Sequence, residues 1–402
     1  MSAINYKSYF NDIEKAEYKN FYPISKEHMN SVNKKTEFNI DFGDGFCTSK
    51  FQYYISGTLK KSDNSDYPAD ATIKLIDNFV PYLFTKIEVR KHNKLIDEIE
   101  YPGILSTIKG TITYSKTDSV NCNGFESSFN GGNFEAIGDL SHLGLGFFES
   151  INFPIYKGGF YLSFVRSEDD DAIYRWKKDA TANLPGAGKI TIDEFYIRVP
   201  ILEFKTIKKI KLIEELTIAK NIIFHFKQFQ CIRQSGISGS TYNFDITNIY
   251  RNIINPKFII VCFQASRDKN QEKDPSQFDS QNVKNLRVKL NGHFYPDEML
   301  NLDISENKHR ILYKMFQDYK KVYYGSEEVY YSPNDFIVKR PIYVIDTTKS
   351  PTNISGAKND IIVSIDFKNA ISNQVSVVCY VIVVSEKILQ YNILKNDIIP
   401  ID

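Results

Sequence analysis

Residues 71–113 read ATIKLIDNFVPYLFTKIEVRKHNKLIDEIEYPGILSTIKGTIT, and their pattern decides the fold. Within them, Leu83-Phe84-Thr85-Lys86-Ile87-Glu88-Val89 alternates apolar and charged residues with a period of two. Successive side chains of a strand point to opposite faces, so this alternation predicts a half-buried antiparallel strand. Ile73, Leu75 and Phe79 lead into it, His92-Asn93-Lys94 supplies a polar turn, and Leu95, Ile96 and Ile99 resume the pattern. Pro102-Gly103 then breaks the run, and the Ser/Thr/Ile-rich segment 106–113 reads as another strand. The stretch is a sheet hairpin with no catalytic signature.

Outward from it, the same texture recurs. KFQYYISGTLK (50–60) is the first strong strand, and 62–70 is a polar loop. The Gly/Asn/Ser/Phe-rich region 116–150 reads as a long loop, a length usually reserved for functional or exposed surface. Gly158–Val165 and Lys189–Phe204 are further strands, and the Lys/Ile/Glu-dense segment that follows reads as a connector with room for one short helix. The second half opens on Ile222–Cys231, which alternates cleanly, and continues with a buried run at Lys257–Ala265. Arg267–Gln281 reads as an exposed loop, Asn285–Leu290 as a strand, and Asn291-Gly292 as its turn. Ser305–Val322 has helical spacing, with Ile311, Leu312, Met315, Phe316 and Tyr319 on one face. Strands are expected near 336–345, 360–367 and 375–385. Two successive halves of short strands predict an all-β chain of tandem sandwiches, although no internal sequence repeat is visible.

Composition agrees. The 402 residues are 42% hydrophobic and 14% aromatic, with 29 Phe and 26 Tyr, and such rings favour strands and interfaces. Fifty Lys and Arg against 49 Asp and Glu leave a charge of +1, which argues against whole-chain attraction to nucleic acid. Cys47, Cys122, Cys231, Cys262 and Cys379 are scattered without a CxxC pair, and Cys262 and Cys379 sit in apolar runs as small core residues. The N-terminus carries acids and reads as no secretory or mitochondrial signal, and no run is long enough to span a bilayer.

No motif carries chemistry. Asn183-Leu-Pro-Gly-Ala-Gly-Lys189 lacks the first Gly and the closing Ser or Thr of a phosphate loop, so it reads as a turn. Glu168-Asp169-Asp170-Asp171 lacks the spaced ligands of a calcium loop and reads as a solvated acidic loop. His28, His92, His142, His225, His293 and His309 are isolated, which excludes a zinc pattern, and His225 should point away from Phe224 and Phe226. Lys205, Lys208, Lys209 and Lys211 form a basic connector face, with weak nucleic-acid contact as its sharper reading. Asn353-Ile354-Ser355 is a formal glycosylation acceptor, expected to be unused. The expectation is no catalytic, cofactor-binding or metal residue.

A resemblance adds to this reading. Asn78, the apolar stretch ending in Leu83-Phe84, the β-run, the acidic strand, Pro102-Gly103 and Ser106-Thr107-Ile108-Lys109-Gly110 together resemble one family. It is that of the double jelly-roll, hexon-like major capsid proteins of Polinton or Maverick elements and adintovirus-like viruses. The late Asn291-Gly292 and Tyr295-Pro296 are compatible with it. The resemblance implies two tandem jelly rolls with a few short helices in loops: an arm at 1–36, rolls at 37–204 and 218–390, a connector at 205–217 and a tail at 391–402. It further implies a non-enzymatic homotrimer forming a pseudo-hexameric capsomer in an icosahedral shell, with the 116–150 region in outward towers. Partners would be neighbouring capsomers, a penton and minor capsid proteins. The location would be the virion, after synthesis in the host cytoplasm and assembly there or in the nucleus. Two rivals remain: a carbohydrate-binding sandwich using exposed Tyr323, Tyr324, Tyr330 and Tyr331, and a β-sandwich hydrolase.

Overall fold

Gln52–Lys61 buries Tyr53, Ile55 and Leu59 and leaves Gln52, Tyr54, Ser56 and Thr58 half-buried, the outcome its alternation predicts. The computed structural model describes residues 13–401 apart from 115–121, 152, 220, 248–252, 254, 327, 351–358 and 393–394.

Eight principal strands build the first half: β1 Ile13–Phe21, β2 Lys35–Asp41, β3 Gln52–Lys61, β4 Phe84–Lys91, β5 Lys94–Glu100, β6 Gly132–Asp139, β7 Gly159–Arg166 and β8 Gly188–Phe204. One antiparallel sheet has the order β6-β3-β8-β1, and the facing sheet has the order β2-β7-β4-β5. The second half contributes β9 Asn221–Ser235, β10 Gly239–Asp245, β11 Pro256–Ala265, β12 Val283–Leu290, β13 His293–Tyr295, β14 Tyr343–Asp346, β15 Ile361–Ile371 and β16 Val377–Asn392. Its sheets run β14-β11-β16-β9 and β10-β15-β12-β13. Adding eight to each strand of the first half gives the second, so the chain is a topological duplication of an eight-stranded jelly roll. Among the described residues no strand pairs across the two halves.

Each roll is closed by rings between its sheets. Phe195 of β8 meets Phe38 of β2 at 4.9 Å and Phe84 of β4 at 5.5 Å, and Phe263 of β11 meets Phe367 of β15 at 6.1 Å. The turns hold the hairpins in register. His92 and Asn93 (φ 46° and 65°) join β4 to β5, and Asn291-Gly292 (φ 50° and 88°) joins β12 to β13.

Several expectations are corrected. Segment 106–113 is no strand: Pro102–Thr113 forms helix α1, with eleven of its twelve residues buried. Pro102 occupies its first turn, where a missing N–H costs nothing, so the apparent breaker is a helix start. Region 116–150 is no free loop, because β6 lies in it and Leu140, Leu143, Leu145, Phe147 and Phe148 are buried. Arg267–Gln281 is no exposed loop either, since Gln271, Asp274, Ser276 and Phe278 are buried. Helix α2 (Thr206–Ala219) fills the connector. Helix α3 (Arg310–Tyr324) buries Leu312, Phe316 and Tyr319, but Ile311 is 49% exposed, so its apolar face is turned by one residue. Near 336–345, a helix α4 (Pro333–Lys339) precedes the short β14. Within the stretch read as an arm, β1 pairs with β8, and within the tail Asp397–Pro400 pairs with β16.

Candidate functional site

The ends of the organising stretch come together. Asn78, in a left-handed conformation (φ 61°), donates from Nδ2 to Ser106 Oγ at 3.1 Å and Thr107 Oγ1 at 2.9 Å. Ser106 Oγ in turn donates to the His142 carbonyl at 2.7 Å. These bonds dock α1 on its own roll, and two glycines let rings press against it. A Cβ on Gly103 would meet the Tyr82 ring at 2.5 Å, and one on Gly110 the Phe125 ring at 2.2 Å.

The other side of α1 and the end of β5 make a seam with the second roll. Lys109 pairs with Glu149 at 2.8 Å and lies 5.6 Å from the Phe229 ring of β9. Phe147 packs with Phe148 and Phe160 of its own roll and with Phe224 and Phe226 of β9, the latter two at 6.1 Å. Phe153 continues this ring layer to Phe224 and Tyr391. Gly146 sits so near β9 that a Cβ would lie 1.7 Å from the Lys227 carbonyl oxygen. At the seam's edges Lys387 donates to the Ile96 carbonyl at 2.8 Å, Tyr391 bonds the Tyr156 carbonyl, and Lys94 pairs with Asp397. Residues 267–281 strap the other end. Gln271 takes the Gly188 N–H at 2.9 Å and donates to Asp170 at 2.7 Å, and Tyr82 Oη donates to the Pro275 carbonyl at 2.9 Å. An apolar ring layer, with hydrogen bonds and ion pairs at its edges, joins the two rolls.

The residues singled out for chemistry scatter. Asn183–Lys189 runs into strand β8, with Gly188 held by Gln271. Glu168 pairs with Lys269, Asp169 with Arg166, Asp170 with Gln271 and Asp171 with Ser167 Oγ, so each acid is occupied by a protein partner. Among the described residues no three His, Cys, Asp or Glu side chains converge as metal ligands. His225 is exposed between buried Phe224 and Phe226, and His28, His92 and His293 are exposed too. His142 and His309 are buried. Tyr323 stacks on Tyr319 at 5.0 Å, Lys227 lies 4.4 Å from the Tyr324 ring, and Tyr330 meets Tyr331 at 4.9 Å and Phe125 at 6.0 Å. The four tyrosines proposed for sugar stacking are therefore half-buried in contacts of this chain's own. Lys205, Lys208 and Lys211 are exposed, and Asn353–Ser355 lies outside the described residues.

Two buried ionisable groups, Asp97 and Lys91, escape sequence reading because nothing local marks them, and His142 reads only as isolated. Burial pushes the Asp97 carboxyl up to about 6, although it accepts the Phe147 N–H at 3.1 Å. Burial takes the Lys91 ammonium down to about 8, where its contacts are the Gly159 carbonyl at 3.4 Å and the Phe160 ring at 4.9 Å. Burial likewise takes His142 down to about 3, with Nδ1 2.8 Å from Tyr114 Oη. Burial is the first cause of each shift.

Two jelly rolls of one topology, fused along an apolar seam, define a double jelly roll. The chain belongs to the double jelly roll-like domain family, whose model matches residues 73–389. Among solved structures it is similar to a chain of the Sputnik virophage, determined by cryo-EM at 3.5 Å, with TM-score 0.57 and 10% identity over 97% of this chain and 89% of that one. It is similar to the mavirus major capsid protein (TM-score 0.54, 11% identity, 96% and 90% covered) and to the PBCV-1 virus capsid (0.53, 10%, 94% and 94%). At these identities the likeness establishes the fold. No curated protein matches by sequence.

Proposed function

We propose that this chain is a viral major capsid protein that trimerises into a pseudo-hexameric capsomer and tiles an icosahedral shell. The observation that carries the proposal is the duplication. Two identical topologies held rigidly side by side present six similar lobes when three chains close on a threefold axis. The family and the capsid origin of the fold's neighbours support the same reading. Its action is burial of interface area, without a chemical step, and its place is the virion after synthesis in the host cytoplasm and assembly there or in the nucleus. Within this reading the rolls divide at the connector, with the first roll extended from 37–204 to take in β1 from the arm and the second from 218–390 to take in Asp397–Pro400 from the tail. The lineage is that of Polinton or Maverick elements and adintovirus-like viruses, carried by Asn78 and the Ser106–Gly110 run. A penton, minor capsid proteins and neighbouring capsomers are its partners. Exposed lysines of α2 supply weak contact with the genome on the inner face.

Negative-stain imaging of the purified chain tests this. Six-lobed hexagonal particles or closed shells are expected, and a field of particles no larger than one 46.4 kDa chain would sink the proposal.

A further inference from the structure

The seam buries a carboxyl among its rings. Between β4 and β5 the register slips at Val89 and Arg90, and the bulge buries Ile96 and Asp97 in succession. Alternation would have turned one of the two to water. Asp97 is instead 1% exposed. Its Oδ2 accepts the N–H of Phe147 at 3.1 Å and its Oδ1 the N–H of Glu98 at 3.0 Å. One carboxyl thus ties the short helix Gly146–Ser150, which carries Phe147 and Phe148 into the ring layer, to the strand beside it. That helix has no slack on its other side, since a methyl group does not fit between Gly146 and the Lys227 carbonyl of β9.

No cation balances this acid. Among the described residues Asp97 forms no ion pair, and the two lysines whose charge reaches it, Lys387 and Lys109, are engaged elsewhere. Lys387 of β16 donates to the Ile96 carbonyl, and Lys109 of α1 pairs with Glu149 and donates to the Ser141 carbonyl at 2.7 Å. Lys227 of β9 donates to the Tyr323 carbonyl at 3.1 Å. On β5 itself Glu98 pairs with Lys86 and Lys94 with Asp397. Glu386 of β16 adds a further negative charge near Lys227, and His142 is held neutral. A carboxylate out of water with two backbone donors and no cation is costly to keep ionised, so burial carries its pKa from 3.8 to about 6.

We infer that Asp97 is a proton latch on the seam: protonated, it holds the two rolls together, and ionised, it loosens Gly146–Ser150 from β9. Opening the seam returns Asp97 to water, where it ionises near 3.8. Between 3.8 and about 6 opening therefore releases a proton. The closed seam is favoured most below 3.8, loses tenfold per pH unit as pH rises, and is level above about 6, a span of roughly 100-fold. His142 works in the opposite sense, because opening that reaches it takes up a proton below 6.5. The latch lies within one chain and stands whether or not copies assemble.

Peptide-resolved hydrogen exchange of the full chain and of Asp97→Asn, from about pH 4 to about pH 8 with labelling times scaled to the intrinsic rate, tests the latch. Over Gly146–Ser150 and over 224–229, the opening constant of the unmodified chain divided by that of the variant should rise roughly 100-fold up to about pH 6 and then level. The contribution of His142 and the acceptor changed by the substitution cancel in the pH dependence of this ratio. Gln52–Lys61, a core strand of the first roll, should exchange more slowly at every pH, because the seam opens before the rolls do. A ratio that is flat or falls with pH overturns the latch. Seam peptides that exchange no faster than Gln52–Lys61 overturn its action on the seam. Should Asp97→Asn fail to fold, the same peptides in His142→Phe decide. With the opposing group gone, their opening constant itself should rise roughly 100-fold over the same span, and a flat profile would refute the proposal.

Discussion

Truncating Phe147 to alanine measures how far the seam, rather than either roll alone, holds this molecule together. Phe147 is fully buried in a layer of four rings, Phe148 and Phe160 from the first roll and Phe224 and Phe226 from the second. Removing a buried phenyl ring costs about 3–5 kcal/mol, the transfer energy of the ring plus the cavity left behind. Each ring pair contributes roughly 0.5–1.5 kcal/mol beyond area burial, so the two pairs across the seam account for about 1–3 kcal/mol of that loss. Urea unfolding, followed by far-UV circular dichroism and by fluorescence of the single tryptophan, Trp176, provides the assay. Trp176 stacks on Tyr174 in the first roll and so reports on that half. In the unmodified chain the two signals should move together. In Phe147→Ala the total stability should fall by about 3–5 kcal/mol. A double-mutant cycle with Phe226→Ala should return a coupling of about 0.5–1.5 kcal/mol. A loss under about 1 kcal/mol, or a coupling of zero, would refute the claim that the ring layer joins the rolls.

Three other outcomes are expected. Gly146→Ala places a Cβ 1.7 Å from the Lys227 carbonyl, so thermal unfolding should show a loss of at least about 1–3 kcal/mol, whereas Gly186→Ala, with open space around it, should be near neutral. His142 is held neutral, with its pKa lowered from 6.5 to about 3. The unfolded chain therefore takes up the proton first: the contribution is complete above pH 6.5 and is lost as pH falls toward 3, by up to about 5 kcal/mol, a slope that His142→Phe should flatten in denaturant titrations. Native chains should expose one thiol to a disulfide reagent, Cys122, and five after unfolding, because Cys47, Cys231, Cys262 and Cys379 are buried; modification of more than one in the native state would contradict the packing.

Sequence reading succeeded where local pattern and local environment coincide. The alternation of 50–60 and of Ile222–Cys231 placed each face correctly, and the paired left-handed residues at His92-Asn93 and Asn291-Gly292 marked their hairpins. It failed where burial is on all sides. Helix α1 has no polar face to set a 3.6-residue period, and its Ser106, Thr107 and Thr111 hydroxyls bond inward, so β-branched composition pointed to a strand. Strand β6 was hidden in a Gly/Asn-rich run, and within 267–281 Gln271 finds its partners on the other roll while Asp274 and Ser276 bond each other, neither of which local pattern shows. The tyrosines of α3 are covered from within their own roll, by Phe258 and Lys227, which lie far from them in the chain. Jelly-roll duplication itself was legible as two similar textures, but strand order depends on pairings between residues far apart in the chain, such as Phe21 with Ile197.

The central claim is tested most directly by the solution mass of the purified chain, measured by light scattering coupled to size exclusion over a tenfold range of concentration. The account predicts a stable species at three times 46.4 kDa whose mass does not change on dilution. A well-behaved species of 46.4 kDa at every concentration would contradict it.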